Sequence, residues 1–135
     1  MKFKDLRIGM TDSMTKSFTE KDVLQFAKIS ADMNPLHIDE EAAKNGLFGK
    51  RVAHGILVSG LISAVLGTKL PGEGTIYLGQ ELRFRKPVFL DDVITAKVEV
   101  VELIEEKSMA ILNTTCINQN GETVITGKAT VLVKQ

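Results

Sequence analysis

From Gly55 to Gly67 the chain presents apolar side chains on nearly every helical face: Ile56, Leu57, Val58, Leu61, Ile62, Ala64, Val65 and Leu66, with Ser59, Gly60 and Ser63 filling the gaps. A helix without a polar face must be buried all round. It falls short of the about 20 apolar residues that cross a bilayer, so its cover has to be protein. The rest of the chain must therefore supply a wrapping surface.

After Gly74 the apolar period drops to two. Ile76, Leu78, Leu82 and Phe84 are expected on one side of a strand, and Tyr77, Glu81, Arg83 and Arg85 on the other. Val93 to Val101, Met109 to Ile117 and Val124 to Val133 alternate in the same way, and Asn120-Gly121 marks a hairpin between the last two. A further strand is expected near Met10 to Phe18. Thr19 and Asp22 form the capping signature of a helix from Glu20 to about Ser30, and Asp39 caps a short turn that ends at Asn45-Gly46. About five antiparallel strands wrapping one long apolar helix make an α+β hot-dog fold. The 135 residues, 44% of them hydrophobic, suffice for one core, and no repeat or linker divides them. A single domain over 1–135 is expected.

Seventeen basic side chains balance seventeen acidic ones. No large positive field exists to hold a nucleic acid or an anionic membrane, so neither is an expected partner. The first ten residues mix charge with apolar side chains and lack a secretory core, which points to the cytoplasm. The single cysteine, Cys116, lies in an alternating strand and reads as a small buried hydrophobe. His37 and His54 stand far apart in sequence, with no ligand at metal-site spacing, so no metal is expected. Neither Gly46-Leu47-Phe48-Gly49 nor Gly72-Glu73-Gly74 continues into a phosphate-cradling motif, so no nucleotide cofactor is expected.

What remains is Asp32, Asn34 and His37, crowded around Pro35 in a loop directly after the first helix. An acid and an imidazole within reach of one water can hold and move a proton. The plainer reading is that Asp32 turns the chain and His37 bonds a backbone carbonyl. Val52-Ala53-His54-Gly55 opens the apolar helix, whose free N–H groups favour a developing anion, and Gly55 admits close approach. Tight packing would account for the same glycine, while His54 reads as a capping or loop-bracing residue. Arg83, Arg85 and Lys86, and separately Lys50 and Arg51, are basic clusters that either face water or meet phosphates.

The runs Asp32-Met33-Asn34-Pro35-Leu36-His37-Ile38-Asp39 and Val52-Ala53-His54-Gly55, then Leu70 to Gln80 and Phe84 to Val88, come in an order and spacing that resembles the MaoC-like (R)-specific enoyl-CoA hydratases over almost the whole chain. The resemblance implies a homodimer acting on an acyl-CoA thioester, with coenzyme A part of the substrate and no separate cofactor. It also implies that Asp32 and His37 are the catalytic pair, that the Gly55 N–H is the oxyanion donor and that Asn34 organises the loop. Ser63 and Leu66 would flank an acyl tunnel, and Arg85 and Lys86 would meet the coenzyme A phosphates. Hot-dog thioesterases and hydroxyacyl-carrier-protein dehydratases usually place a carboxylate on the central helix. None stands between Gly55 and Gly67. A non-catalytic acyl-CoA-binding subunit is opposed only by the Asp32 and His37 pair.

Overall fold

Alternation sets the sheet. In β3 (Val93–Ile104), Ile94, Ala96, Val98 and Val100 are wholly buried while Lys97 faces water, and in β4 (Met109–Ile117) Ala110, Leu112, Thr114 and Cys116 are buried the same way. Such faces need a cover, and α4 (Gly55–Thr68) provides it with Val58, Leu61, Ile62, Val65 and Leu66. The computed structural model describes residues 1–135 and adds β1 (Thr11–Ser17), β2 (Ile76–Phe84) and β5 (Thr123–Leu132). All neighbours are antiparallel in the order β1-β3-β4-β5-β2. Between β1 and α4 lie α1 (Glu20–Ser30) and the short turns α2 (Pro35–Ile38) and α3 (Glu40–Lys44). This is the expected α+β hot-dog arrangement. No helix is long and apolar enough to cross a membrane.

Four expectations are corrected. The helix α4 is not buried all round: Ile56, Gly60, Ser63 and Gly67 form an exposed stripe, because one sheet can cover only one side of a cylinder. In β2 the two faces do not keep one parity. Leu78 is an extra residue in a bulge, so Tyr77 pairs with inward-facing Val131, while Ile76 pairs with Leu132 and is exposed. Tyr77 therefore shares a face with Gln80, and its hydroxyl donates to the Gln80 Oε1. A similar bulge at Val101 lets β3 run on to Ile104, past the expected end. Finally, His37 stands on a helical turn rather than in an irregular loop, since Pro35 occupies the first helical position, where a missing N–H costs nothing.

Candidate active site

The segment after α1 is held by short side-chain bonds. Thr19 and Asp22 exchange capping bonds of 3.2 and 3.1 Å that fix where α1 begins, and Ala31, left-handed at φ 68°, ends it. Ser30 Oγ then accepts from the Asp32 N–H at 3.1 Å, Asp32 Oδ1 from the Asn34 N–H at 3.2 Å, and Asn34 Oδ1 from the Leu36 N–H at 3.1 Å. Each residue turns the chain for the next one, as Ser, Asp and Asn do outside regular structure. One Asp32 oxygen is used in this way and Oδ2 is left for another donor.

His37 and His54 come together across the fold. His37 Nδ1 lies 2.7 Å from the Val52 carbonyl oxygen. A carbonyl only accepts, so Nδ1 carries the proton and a neutral ring leaves a lone pair on Nε2. By the same logic His54 Nε2, 3.0 Å from the Asp32 carbonyl oxygen, is the protonated nitrogen, and its Nδ1 is buried without a partner. The two rings stack with centroids 3.9 Å apart, and the edge of Phe26 meets His54 at 4.8 Å. Burial, and secondarily the neighbouring His37, push the His54 pKa down, against the Asp32 backbone bond that raises it. Arg51 lies behind the pair and is almost fully buried. Its Nε donates to the His37 carbonyl oxygen at 2.8 Å, and Nη1 lies 2.9 Å from Glu20 and 3.5 Å from Glu40.

The nearest ligand-type atoms of Asp32, His37 and His54 all lie within 4.8 Å of one another, although the two histidines are far apart in sequence. A cation would need their lone pairs to converge. The rings stack at 29° with one nitrogen of each already on a carbonyl, and each remaining lone pair lies in the plane of its own ring, two planes too nearly parallel to meet at one close ion. The arrangement suits a water better. Two hydrogen bonds of about 2.8 Å around one oxygen span about 4.5 Å, and the ligand-type atoms of Asp32 and His37 lie within 4.8 Å of each other.

Beside this pair opens an apolar cavity of about 370 Å³, within the size range of small-ligand sites, and His37, Gly55, Ile56, Phe84, Arg85 and Lys86 are among its lining residues. Gly55 is the first residue of α4, so its N–H has no intrahelical acceptor and sits at the positive end of the helix dipole. A β-carbon there would lie 2.6 Å from the Phe84 ring, so a larger residue has to displace that ring.

The MaoC-like domain family model matches residues 7–122. The chain belongs to the MaoC-like family. It is 47% identical over 131 residues to a 3-hydroxybutyryl-CoA dehydratase of Methylorubrum extorquens, covering 97% of this chain and 83% of that one. It is 46% identical over 131 residues to an (R)-specific enoyl-CoA hydratase of Rhodospirillum rubrum, covering 97% and 90%. The solved (R)-hydratase from A. caviae involved in PHA biosynthesis superposes with a TM-score of 0.93 at 42% identity, over 96% of this chain and 98% of that one.

The MaoC-like fold brings His37, Gly55, Arg85 and Lys86 to one cavity and sets Asp32 beside it. Ser63 and Leu66 do not line that cavity: Ser63 is on the exposed stripe of α4 and Leu66 is in the core. Lys86 is engaged, its Nζ 2.7 Å from Glu122, which together with Asn118 holds the Glu122 carboxyl below its ordinary pKa. The reading of Lys50 and Arg51 as one surface cluster is corrected. Arg51 turns inward to two carboxylates, while Lys50 lies over the Phe89 ring at 4.2 Å. Sequence reasoning missed the structural part of Arg51 and the position of Phe84. The one available signal was an arginine directly before the apolar Val52-Ala53.

Proposed function

We propose that the chain is an (R)-specific enoyl-CoA hydratase, adding water reversibly to a trans-2-enoyl-CoA to give the (R)-3-hydroxyacyl-CoA. One observation carries the reading: a carboxylate and an imidazole with ligand-type atoms within 4.8 Å of each other stand beside an apolar cavity that Gly55, the first residue of a helix, also lines. Asp32 and His37 Nε2 hold the water. As its oxygen bonds to C3, one of them takes the water's proton and negative charge moves onto the thioester oxygen, which the Gly55 N–H stabilises. A proton delivered to C2 completes the addition, with H on C2 and OH on C3. Asp32 is assigned as the base, with His37 Nε2 orienting the water, and the proton that Asp32 takes from the water is the one returned to C2.

Asn34 keeps the loop in shape through its bond to the Leu36 N–H. Arg85, with only Nε committed to Thr126 at 3.0 Å, is the freer of the two cations for a coenzyme A phosphate, since Lys86 has to release Glu122 first. Ser63 and Leu66 flank the acyl chain along α4, so a chain reaching Leu66 has to part α4 from the sheet. The (R) outcome comes from the relatives of that name. The same reading includes a cytoplasmic enzyme with no bound cofactor, assembled as a homodimer through the β2 edge and the α4 stripe.

The test is loss of the enoyl absorbance of crotonyl-CoA with purified protein, with chiral analysis of the product. Asp32→Asn keeps shape but accepts no proton, and is expected to lower hydration at least about 100-fold while enoyl-CoA still binds. A folded Asp32→Asn variant with wild-type hydration, or a wild type that only releases free CoA, contradicts the reading.

A further inference from the structure

His54 is 2% exposed, yet its Nδ1 has no partner. A buried acceptor left bare is destabilising, and a phenylalanine would fill the same space against Phe26 and His37 without it. Stability therefore argues against histidine here, and the only thing histidine adds is the Nε2–H. That donor goes to the Asp32 carbonyl, 22 residues earlier in the chain. The other hydrogen bonds of residues 31–34 are local ones to Ser30, Leu36 and His37 or among themselves, so this one alone ties the Asp32 turn to the rest of the fold. The residue is also the N-cap of α4, directly before Gly55.

We propose that His54 is a positioning residue that sets the Asp32 carboxylate against the Gly55 N–H, with its Nε2–H holding the Asp32 backbone and its ring face backing His37. The inference deepens the hydratase reading and rests on it. One rigid imidazole links the base, the water-holding imidazole and the oxyanion donor, three groups on three separate elements. Displacement of a reacting group by about 1 Å costs on the order of 100-fold in rate. Loss of the donor therefore affects turnover rather than binding of the distant coenzyme A.

Two variants separate the donor from the ring. His54→Phe keeps the ring and loses the donor, whereas His54→Gln keeps an N–H near the Nε2 position and loses the ring. With crotonyl-CoA, His54→Phe is expected to lose at least about tenfold in kcat with KM nearly unchanged, and His54→Gln to recover part of it. Wild-type kcat in His54→Phe, or His54→Gln no faster than His54→Phe, overturns the proposal. Nitrogen NMR of the unsubstituted protein supplies a readout that depends on neither variant folding. It should show His54 protonated on Nε2 and bare on Nδ1 at neutral pH; a proton on Nδ1 overturns the proposal. Absence of hydration in the wild type would instead count against the hydratase reading, leaving the tautomer result to stand or fall alone.

Discussion

Crowding at Gly55 makes a prediction that the hydrogen bonds do not. The Phe84 ring would meet an added β-carbon at 2.6 Å, but Phe84 is half exposed at the end of an edge strand and can swing away. Both residues line the cavity, so the ring moves at the expense of ligand space. Gly55→Ala is expected to fold and to lose about tenfold or more in kcat/KM for enoyl-CoA, and Phe84→Ala in the same chain should recover part of the loss. Steady-state kinetics of the two single variants and the double variant decide it; simple additivity would remove the steric explanation. His54 gives a second prediction, in stability. Its folded pKa lies below the ordinary 6.5, so the unfolded chain binds more protons, and stability is complete above that value and falls as pH drops below it. The partly exposed carboxylates with lowered pKa values, Asp12, Asp22 and Glu122, lose their contributions only further down, below their ordinary values of 3.8 to 4.5. Urea midpoints should therefore fall between about pH 7 and 5, and the fall should be shallower in His54→Phe. Asp32 and His37 were legible in the sequence because five positions and one proline hold them together. The contact of His54 with Asp32 and of Arg51 with His37 was not, since the bonded partners are 22 and 14 residues apart and nothing local marks them.

Among the elements, β3 and β4 were legible because their alternation is uninterrupted where it meets α4. The strand β2 was misread because a bulge changes parity without changing composition. Its attachment to β5 depends on one residue that composition does not reveal either. A β-carbon on Gly127 would lie 1.9 Å from the Glu81 carbonyl oxygen, a backbone atom that cannot swing aside. Glycine in a strand interior often marks such a close approach. Gly127→Ala is expected to push β2 off β5 near Leu82, with a loss of about 1–3 kcal/mol of stability. Chemical denaturation measures the loss, and amide exchange should place it on β2 before β1. A variant as stable as the wild type would mean that the β2 backbone yields more easily than its pairing suggests. Since Phe84 closes β2, the same variant should also weaken substrate binding.

At the scale of the whole molecule, the enclosure that the apolar helix demanded is half complete. The open stripe of α4 includes Ile56, 58% exposed, and α4 also touches β2, where Ile76, Leu78 and Phe84 are each more than half exposed. The β2 strand is moreover a sheet edge with unpaired backbone groups on its outer side. A second copy, set edge to edge across a two-fold axis, would cover both surfaces at once. Gly60 gives a way to test this. It lies inside α4 with nothing within 4 Å of where a β-carbon would sit, and a glycine inside a helix costs about 0.8–1 kcal/mol relative to alanine. Nothing within one chain explains that cost, whereas close approach of a second chain does. Light scattering of the wild type at micromolar concentration should therefore give about twice the 14.8 kDa chain mass. The β-carbon of Gly60→Leu meets nothing within 4 Å in its own chain and position 60 is exposed, so its helical circular dichroism should be retained while the larger side chain holds the copies apart and monomer appears on dilution. A wild type that is monomeric at that concentration, or a Gly60→Leu variant that dimerises as tightly as the wild type, would show that the stripe is not where two copies meet.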